Sequence, residues 1–374
     1  MWRKETKVSI TKIVVTGGPC GGKTTALSRI QRDLSHLGYR VLIVPETATS
    51  LISGGVAPWT CGTNIDYQRC QMSLQLAKEE VFQRAADTMS SSKIVIVCDR
   101  GQLDNKVYMS EEEFGTVLDE LGWSEMELRE SYDAVFHLVS AAKGAEDFYT
   151  LANNGARTET VEEAAALDDK FIEAWTGHPH FRIIDNEGDF EQKMRHLMRE
   201  ITYFLGEASP FEIERKFLVE YPDLAWLESL PNCKRVEISQ TYLRSDPEVE
   251  IRIRKRESKH QCMYYLTERR CVGNRRYMRT QRRITSGEYR MLMMQANPNM
   301  RTIDKTRYCL TYEGQYLEID VFPCWNDQAM VEIELTSEDT PVVLPPELKV
   351  IREVTGDPNY RNAMIASKPR GSTH

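Results

Sequence analysis

Apolar positions in the first half of the chain come in short unbroken runs separated by stretches of helical period. Ile13-Val14-Val15, Val41-Leu42-Ile43-Val44, Ile94-Val95-Ile96-Val97-Cys98 and Ala134-Val135-Phe136 each predict a buried strand, and residues 178–186 a last one. Between them, residues 25–37 (stopped by Gly38), about 66–89, 110–131, 168–174 and 190–206 carry apolar residues at helical spacing. Strand and helix in alternation predict an α/β domain: a parallel sheet with helices on both faces. From Phe211 the period changes to two. Glu212, Glu214 and Lys216 fall on one strand face, and Ile213, Arg215 and Phe217 on the other. The same alternation returns at 240–244, 249–254, 277–282, 304–310, 316–321 and 330–335. Charge alternating on many antiparallel strands predicts a closed β-barrel, an α+β domain with a charged lumen. Gly206-Glu207-Ala208-Ser209-Pro210 is the break, so the chain divides into domains 1–207 and 208–374.

Composition sets limits on this picture. At 374 residues the chain is long enough for two domains, and 41% hydrophobic with 28% charged residues is a globular balance. No apolar run reaches the roughly 20 residues of a membrane span. The polar start, Met1 to Lys7, predicts no signal peptide. Nine scattered cysteines without C-x-x-C predict reduced thiols, hence a cytoplasmic protein. Charge is unevenly spread. Residues 1–207 hold 22 Lys+Arg against 32 Asp+Glu (−10), and 208–374 hold 26 against 24 (+2). Within the second half, 252–307 holds 16 basic and 4 acidic residues (+12), which calls for an anionic partner.

The chemistry is concentrated first at Gly17-Gly18-Pro19-Cys20-Gly21-Gly22-Lys23-Thr24, followed by Thr25. A strand precedes this G-x-x-x-x-G-K-T run and a helix follows it, the context of a phosphate-binding loop. Backbone N–H groups would surround the phosphates of GTP or ATP, Lys23 would reach them, and Thr24 would take a Mg²⁺ position. Glu46 and Asp99 stand at strand ends, where open α/β sheets place their ligands. Asp99 is placed for Mg²⁺, and Asp104 is a second acid for orienting an acceptor. Arg157 lies in a polar segment, 143–159, suited to close over the phosphates as a lid. His137 reads as a core residue, and the two histidines around Pro179 as a capped loop.

These pieces resemble the NadR-like branch of P-loop kinase folds over roughly residues 10–206. The resemblance implies acceptor activation and Mg²⁺ binding for Glu46 and Asp99, and places Asn186 near the base. No [NT]-K-x-D signature is present, so the base is not specified.

The E-x-E-x-K run at 212–216, with Arg252/Arg254, Lys305/Arg307, Glu318/Asp320 and Glu332/Glu334, resembles the CYTH or triphosphate tunnel superfamily across about 210–366. That implies polyphosphate held by Lys216, Arg252, Arg254, Arg279, Lys305 and Arg307. It also implies Mg²⁺ or Mn²⁺ held by Glu212, Glu214, Asp320, Glu332 and Glu334. Two departures weaken a catalytic metal site. Leu266-Thr267-Glu268-Arg269 lacks the lysine of triphosphate-hydrolysing members, and Arg279-Thr280-Gln281-Arg282-Arg283 lacks their acid.

The two domains together resemble the TRPL translocation defect proteins. The group implies GTP and phospholipid head-group binding in membrane-protein trafficking, peripheral to membranes. Three readings stay open: a nucleotide-dependent binding module, a small-molecule kinase, and a barrel triphosphatase. Nucleic acid is not an expected partner, because the basic residues alternate by strand face instead of forming an outer stripe.

Overall fold

The computed structural model describes residues 9–91, 93–145, 160–207, 213–246, 249–259, 261–271, 277–335 and 340–367. Arg157 and Glu212 lie outside the described residues. The chain divides into two compact units, Met1–Ile201 and Thr202–His374.

In the first unit, β1 (Ser9–Thr16), β2 (Arg40–Val44), β3 (Lys93–Asp99), β4 (Ala134–Leu138) and β5 (Phe181–Ile184) form a parallel sheet. Its order is β2-β3-β1-β4-β5, with β1 between β3 and β4. Ile13, Val14, Val15 and Ile94–Val97 are fully buried, as runs covered on both faces require. The chain order reverses at β1, and the loop leaving β1 therefore opens on the crevice where such sheets bind ligands. Helices Lys23–His36, Asn64–Asp87, Val161–Trp175 and Phe190–Phe204 are the longest connections. Thr63 caps the second of these, and Thr160 with Glu163 forms a capping box on the third.

Helix Phe190–Phe204 carries a pH-sensitive group. Burial, then Arg199 and Arg182, push the His196 imidazole down to about 4. A histidine pushed down in the folded state contributes stability above its unfolded value, about 6.5, and loses it as pH falls toward the folded value. Unfolding by denaturant should thus become easier between pH 6.5 and 4, and His196→Gln should flatten part of that slope. An unchanged slope in the variant would refute the assignment.

The second unit carries a nine-stranded sheet. Its strands are β6 (Ile213–Glu220), β7 (Cys233–Tyr242), β8 (Val249–Ser258), β9 (Gln261–Cys271), β10 (Tyr277–Ile284), β11 (Ile303–Tyr312), β12 (Gln315–Val321), β13 (Gln328–Leu335) and β14 (Val350–Glu353). The order is β10-β9-β8-β7-β11-β12-β13-β6-β14, antiparallel throughout. The closed barrel expected from the alternation is not among the described pairings, which run from β10 at one edge to β14 at the other. One face buries Phe217, Val219, Tyr308, Leu310, Leu317, Ile319, Val331 and Ile333 in a core that includes Leu227 of helix Leu224–Ser229. The opposite face carries the charge.

Candidate functional site

The loop after β1 turns on residues a side chain would block. A Cβ at Gly17, where φ is +140°, would stand 2.1 Å from the Leu138 carbonyl oxygen. At Gly21 it would stand 2.7 Å from the same atom. The end of β4 therefore presses against the loop, and only glycine leaves that space. Cys20 adopts φ +57° without being glycine, a local cost the loop carries. Gly22 caps helix Lys23–His36 in the left-handed region, so the helix N-terminus faces the turn.

Lys23 donates to the carbonyls of Gly17 and Gly18 at 2.8 and 3.0 Å. Burial, then the neighbouring Arg100, push its ammonium down to about 7. Asp99, at the end of β3, has a buried Oδ1 with no hydrogen-bond partner. Burial and the Glu46 charge push its carboxyl up to about 6. Glu46 itself stays below the ordinary carboxylate range, because Arg100 and Thr49 outweigh its burial. Arg100 Nε donates to Glu46 Oε1 at 2.8 Å, and Thr49 to Oε2 at 2.6 Å. The guanidinium also lies 4.9 Å from the centroid of Phe171, and Arg100 is the one of these groups with a strained backbone, φ +75°. An orphaned buried carboxylate oxygen beside a cation-bearing phosphate loop fits a divalent ion, and Thr24, exposed at the helix start, is free to face it.

Asp104 lies close enough for its charge to act on Lys23, Asp99 and Arg100, but its oxygens are committed. It is buried and accepts from Thr16 at 2.7 Å, Trp175 Nε1 at 2.7 Å and the Gly101 N–H at 3.0 Å. This acid braces the turn after β3, with its oxygens taken up by these donors. Asn186 is likewise committed: its amide donates to the carbonyls of Ser140 (2.7 Å) and Lys143 (2.6 Å), and Lys193 donates to its Oδ1 at 2.7 Å. The residue ties two loops together, and its side chain has no amide hydrogen left for a base edge.

Sequence reasoning missed Asp168. Fully buried on helix Val161–Trp175, it accepts from the N–H groups of Gly18 (2.9 Å) and Ser140 (3.1 Å) and bonds His137 Nε2 at 3.0 Å. Lys143 lies 3.2 Å from Oδ2. These partners, His137 foremost, hold its carboxyl well below the usual range against burial. The acid anchors the phosphate loop from behind. Its signal was present, as an Asp inside an apolar helix face, but read as part of a helix. Asp168→Asn removes the charge shared by these donors, and should cost about 1–3 kcal/mol of stability and weaken nucleotide binding together. Thermal unfolding beside nucleotide titration checks this; a stability loss with affinity intact would refute the anchoring role.

On the charged face of the second unit, register sets the neighbours. Arg307 pairs with Asp320 across β11–β12, Glu318 with Glu332 across β12–β13, and Glu332 with Lys216 across β13–β6. Arg307 is the hub. Its Nε and Nη2 reach Asp320 at 2.7 and 2.6 Å, Nη2 reaches Glu332 at 3.0 Å, and Nη1 bonds Glu318. Lys305 bonds Asp320, and Lys216 holds Glu332 at 2.6 Å and Glu214 at 3.3 Å. Burial would raise the Glu332 carboxyl, but Lys216, Lys305 and Arg307 hold it well below its usual range. Lys216 is held above its usual range by Glu332 and Glu214, again against burial. Lys305, Arg307, Asp320 and Glu332 thus neutralise one another. Among the described residues no three His, Cys, Asp or Glu side chains form a group that could hold a metal ion. Glu334 is exposed and pairs in register with Glu214.

The other half of this face is basic. Arg252 stands opposite Tyr242 and Thr267, Arg254 opposite Gln240 and Tyr265, and Arg279 opposite Arg269. The Nε of Arg252 is buried without a hydrogen-bond partner. Arg256, which the alternation also places here, is 1% exposed and was not singled out by the sequence. So the face separates into a self-paired acidic side and an arginine-rich side.

The model of a family described as an AAA domain matches residues 12–193. An inorganic triphosphatase of Nitrosomonas europaea is 32% identical over 160 residues, 41% of this chain and 96% of that protein. One of Acetivibrio thermocellus is 30% identical over 162 residues, 42% of this chain and 94% of that protein. A solved inorganic triphosphatase structure is 29% identical and covers 44% of this chain and 99% of its own, with a TM-score of 0.31. No described helix is long and apolar enough to cross a membrane.

Proposed function

The chain belongs to the inorganic triphosphatase family, and on that premise we propose a protein with two polyphosphate sites. The first binds GTP or ATP at Gly17–Thr25. The second, on the charged face of the nine-stranded sheet, binds a phosphate-rich anion. The observation that carries the first site is the phosphate loop with Lys23 seated on its carbonyls and the orphaned Asp99 oxygen nearby. Thr24 and Asp99 would hold Mg²⁺, which offsets phosphate charge; Glu46, fixed by Arg100, orients what approaches. The AAA-domain match over 12–193 supports the same site.

At the second site the arginine side, Arg252, Arg254 and Arg279, grips phosphate oxygens. The name of the relatives supports triphosphate as the anion. A phospholipid head group and a role in membrane-protein trafficking rest on the resemblance to the translocation defect group and on the basic section 252–307. Two further readings follow from particular observations: a kinase, from the fixed Glu46 and Asp99, with Arg157 as its lid; and hydrolysis of triphosphate on the sheet, from the relatives.

Phosphate release from Mg·GTP, Mg·ATP and inorganic triphosphate, compared among wild type, Lys23→Ala and Glu214→Gln, separates these. Binding without release supports two receptor sites, and release lost only with Lys23→Ala makes the loop the catalyst. Release from triphosphate lost only with Glu214→Gln makes the sheet a triphosphatase. Absence of any binding by wild type would refute the proposal.

A further inference from the structure

The loop joining β5 to helix Phe190–Phe204 runs beside the phosphate loop, and the first residue of that helix presents an exposed ring there. Asn186 is spent on the carbonyls of Ser140 and Lys143. Asp189 caps the helix, accepting from the Gln192 N–H at 2.7 Å while its own N–H donates to Gln192 at 2.8 Å. Phe190 comes next, and its ring is 50% exposed. That ring is not at a random place on the surface. A Cβ added to Gly22 would stand 2.7 Å from its Cε2 and 3.1 Å from its Cζ, so the ring lies against the last glycine of the phosphate loop. Helix Lys23–His36 is joined to the same region through the ion pair of Arg29 with Glu191. The aromatic face is therefore held at the rim of the turn whose N–H groups and Lys23 suit a triphosphate.

A nucleotide seated there carries its base one ribose beyond the α-phosphate, and the tether brings that base down near the rim of the same turn. Exposed aromatic surface is costly in water, and a planar base covers it without needing hydrogen bonds. With the Asn186 amide already committed to backbone carbonyls, the ring of Phe190 offers a base a stacking face. We propose that Phe190 is a base-stacking residue of the nucleotide site, taking either purine of GTP or ATP by its ring. This rests on the phosphate-loop reading above and names how that site holds the non-phosphate end of its ligand. It also accounts for the lack of a guanine signature in the sequence, since stacking is tolerant of base identity.

Calorimetric titration of Mg·ATP, Mg·GTP and inorganic triphosphate into the full chain tests it, the loop's binding event being the one that Lys23→Ala removes. Phe190→Ala should weaken that event about tenfold or more for both nucleotides. It should leave the Lys23-dependent binding of inorganic triphosphate, which has no base, unchanged. Phe190→Tyr should restore nucleotide affinity. Equal nucleotide affinity in Phe190→Ala and wild type would overturn the proposal and leave the phosphate-loop reading standing. So would an equal loss for triphosphate, which would make the ring a support for Gly22. If wild type shows no Lys23-dependent nucleotide binding, both fall together.

Discussion

Lys23→Ala should abolish nucleotide binding at the first site, by about 100-fold or more, without destabilising the protein. Each charge-assisted hydrogen bond to phosphate is worth about 1.5–3 kcal/mol, and the lysine reaches more than one oxygen. The stability half of this expectation is the less obvious one. In the unliganded protein burial and Arg100 push the ammonium down to about 7, so its surroundings disfavour the very charge that ligand requires. Removing a group held in that condition relieves the folded state, while its bonds to Gly17 and Gly18 are lost. The expected balance is a melting temperature equal to or above that of wild type, the usual relation between a prepared site and its stability. Titration calorimetry and thermal unfolding on the same sample decide it. A lower melting temperature with nucleotide affinity retained would contradict both halves.

Arg307→Met should have the opposite character and cost about 3–5 kcal/mol of stability. Arg307 is buried and bonded to three carboxylates, Glu318, Asp320 and Glu332. Methionine fills a similar volume but leaves Asp320, fully buried, with Lys305 alone. Against a total of about 5–15 kcal/mol for an ordinary domain, that loss is enough to populate the unfolded second unit. Arg307→Met combined with Asp320→Leu and Lys305→Met should recover much of it, because the buried acid is then removed together with both cations bonded to it. Denaturant unfolding followed by tryptophan fluorescence measures both variants. A single variant as stable as wild type would mean that Arg307 is held for ligand and not for the sheet.

That distinction marks where the sequence stopped being legible. Alternation placed Lys216, Lys305, Arg307, Asp320 and Glu332 on one face, and the register agrees. It could not tell that these residues satisfy one another, because period two reports the face and not the partner across the strand. The phosphate loop was legible for the opposite reason: its function depends on consecutive residues, and the strand and helix flanking it are local. Asp168, 150 positions from Gly18, was legible only as a helix residue, because nothing local ties it to the loop it anchors. Asn186 was placed near the base by resemblance, and the structure gives it a loop-tying task. β14 carries no clear apolar signal, with every residue of Val350–Glu353 exposed, and it joins the sheet only as an edge beside β6.

The position of β6 also sets an order in time. The first strand of the second unit pairs with β13 and β14, more than a hundred residues later in the chain. Lys216 cannot meet Glu332 until that late segment exists. Pairing across such separations is slow, because the intervening chain must be closed before any contact rewards it. The five strands of the first sheet pair among themselves within residues 9–184. As the chain leaves the ribosome, the nucleotide domain can fold and take its ligand while β6 still waits, an exposed and unpaired strand, for residues 328–353.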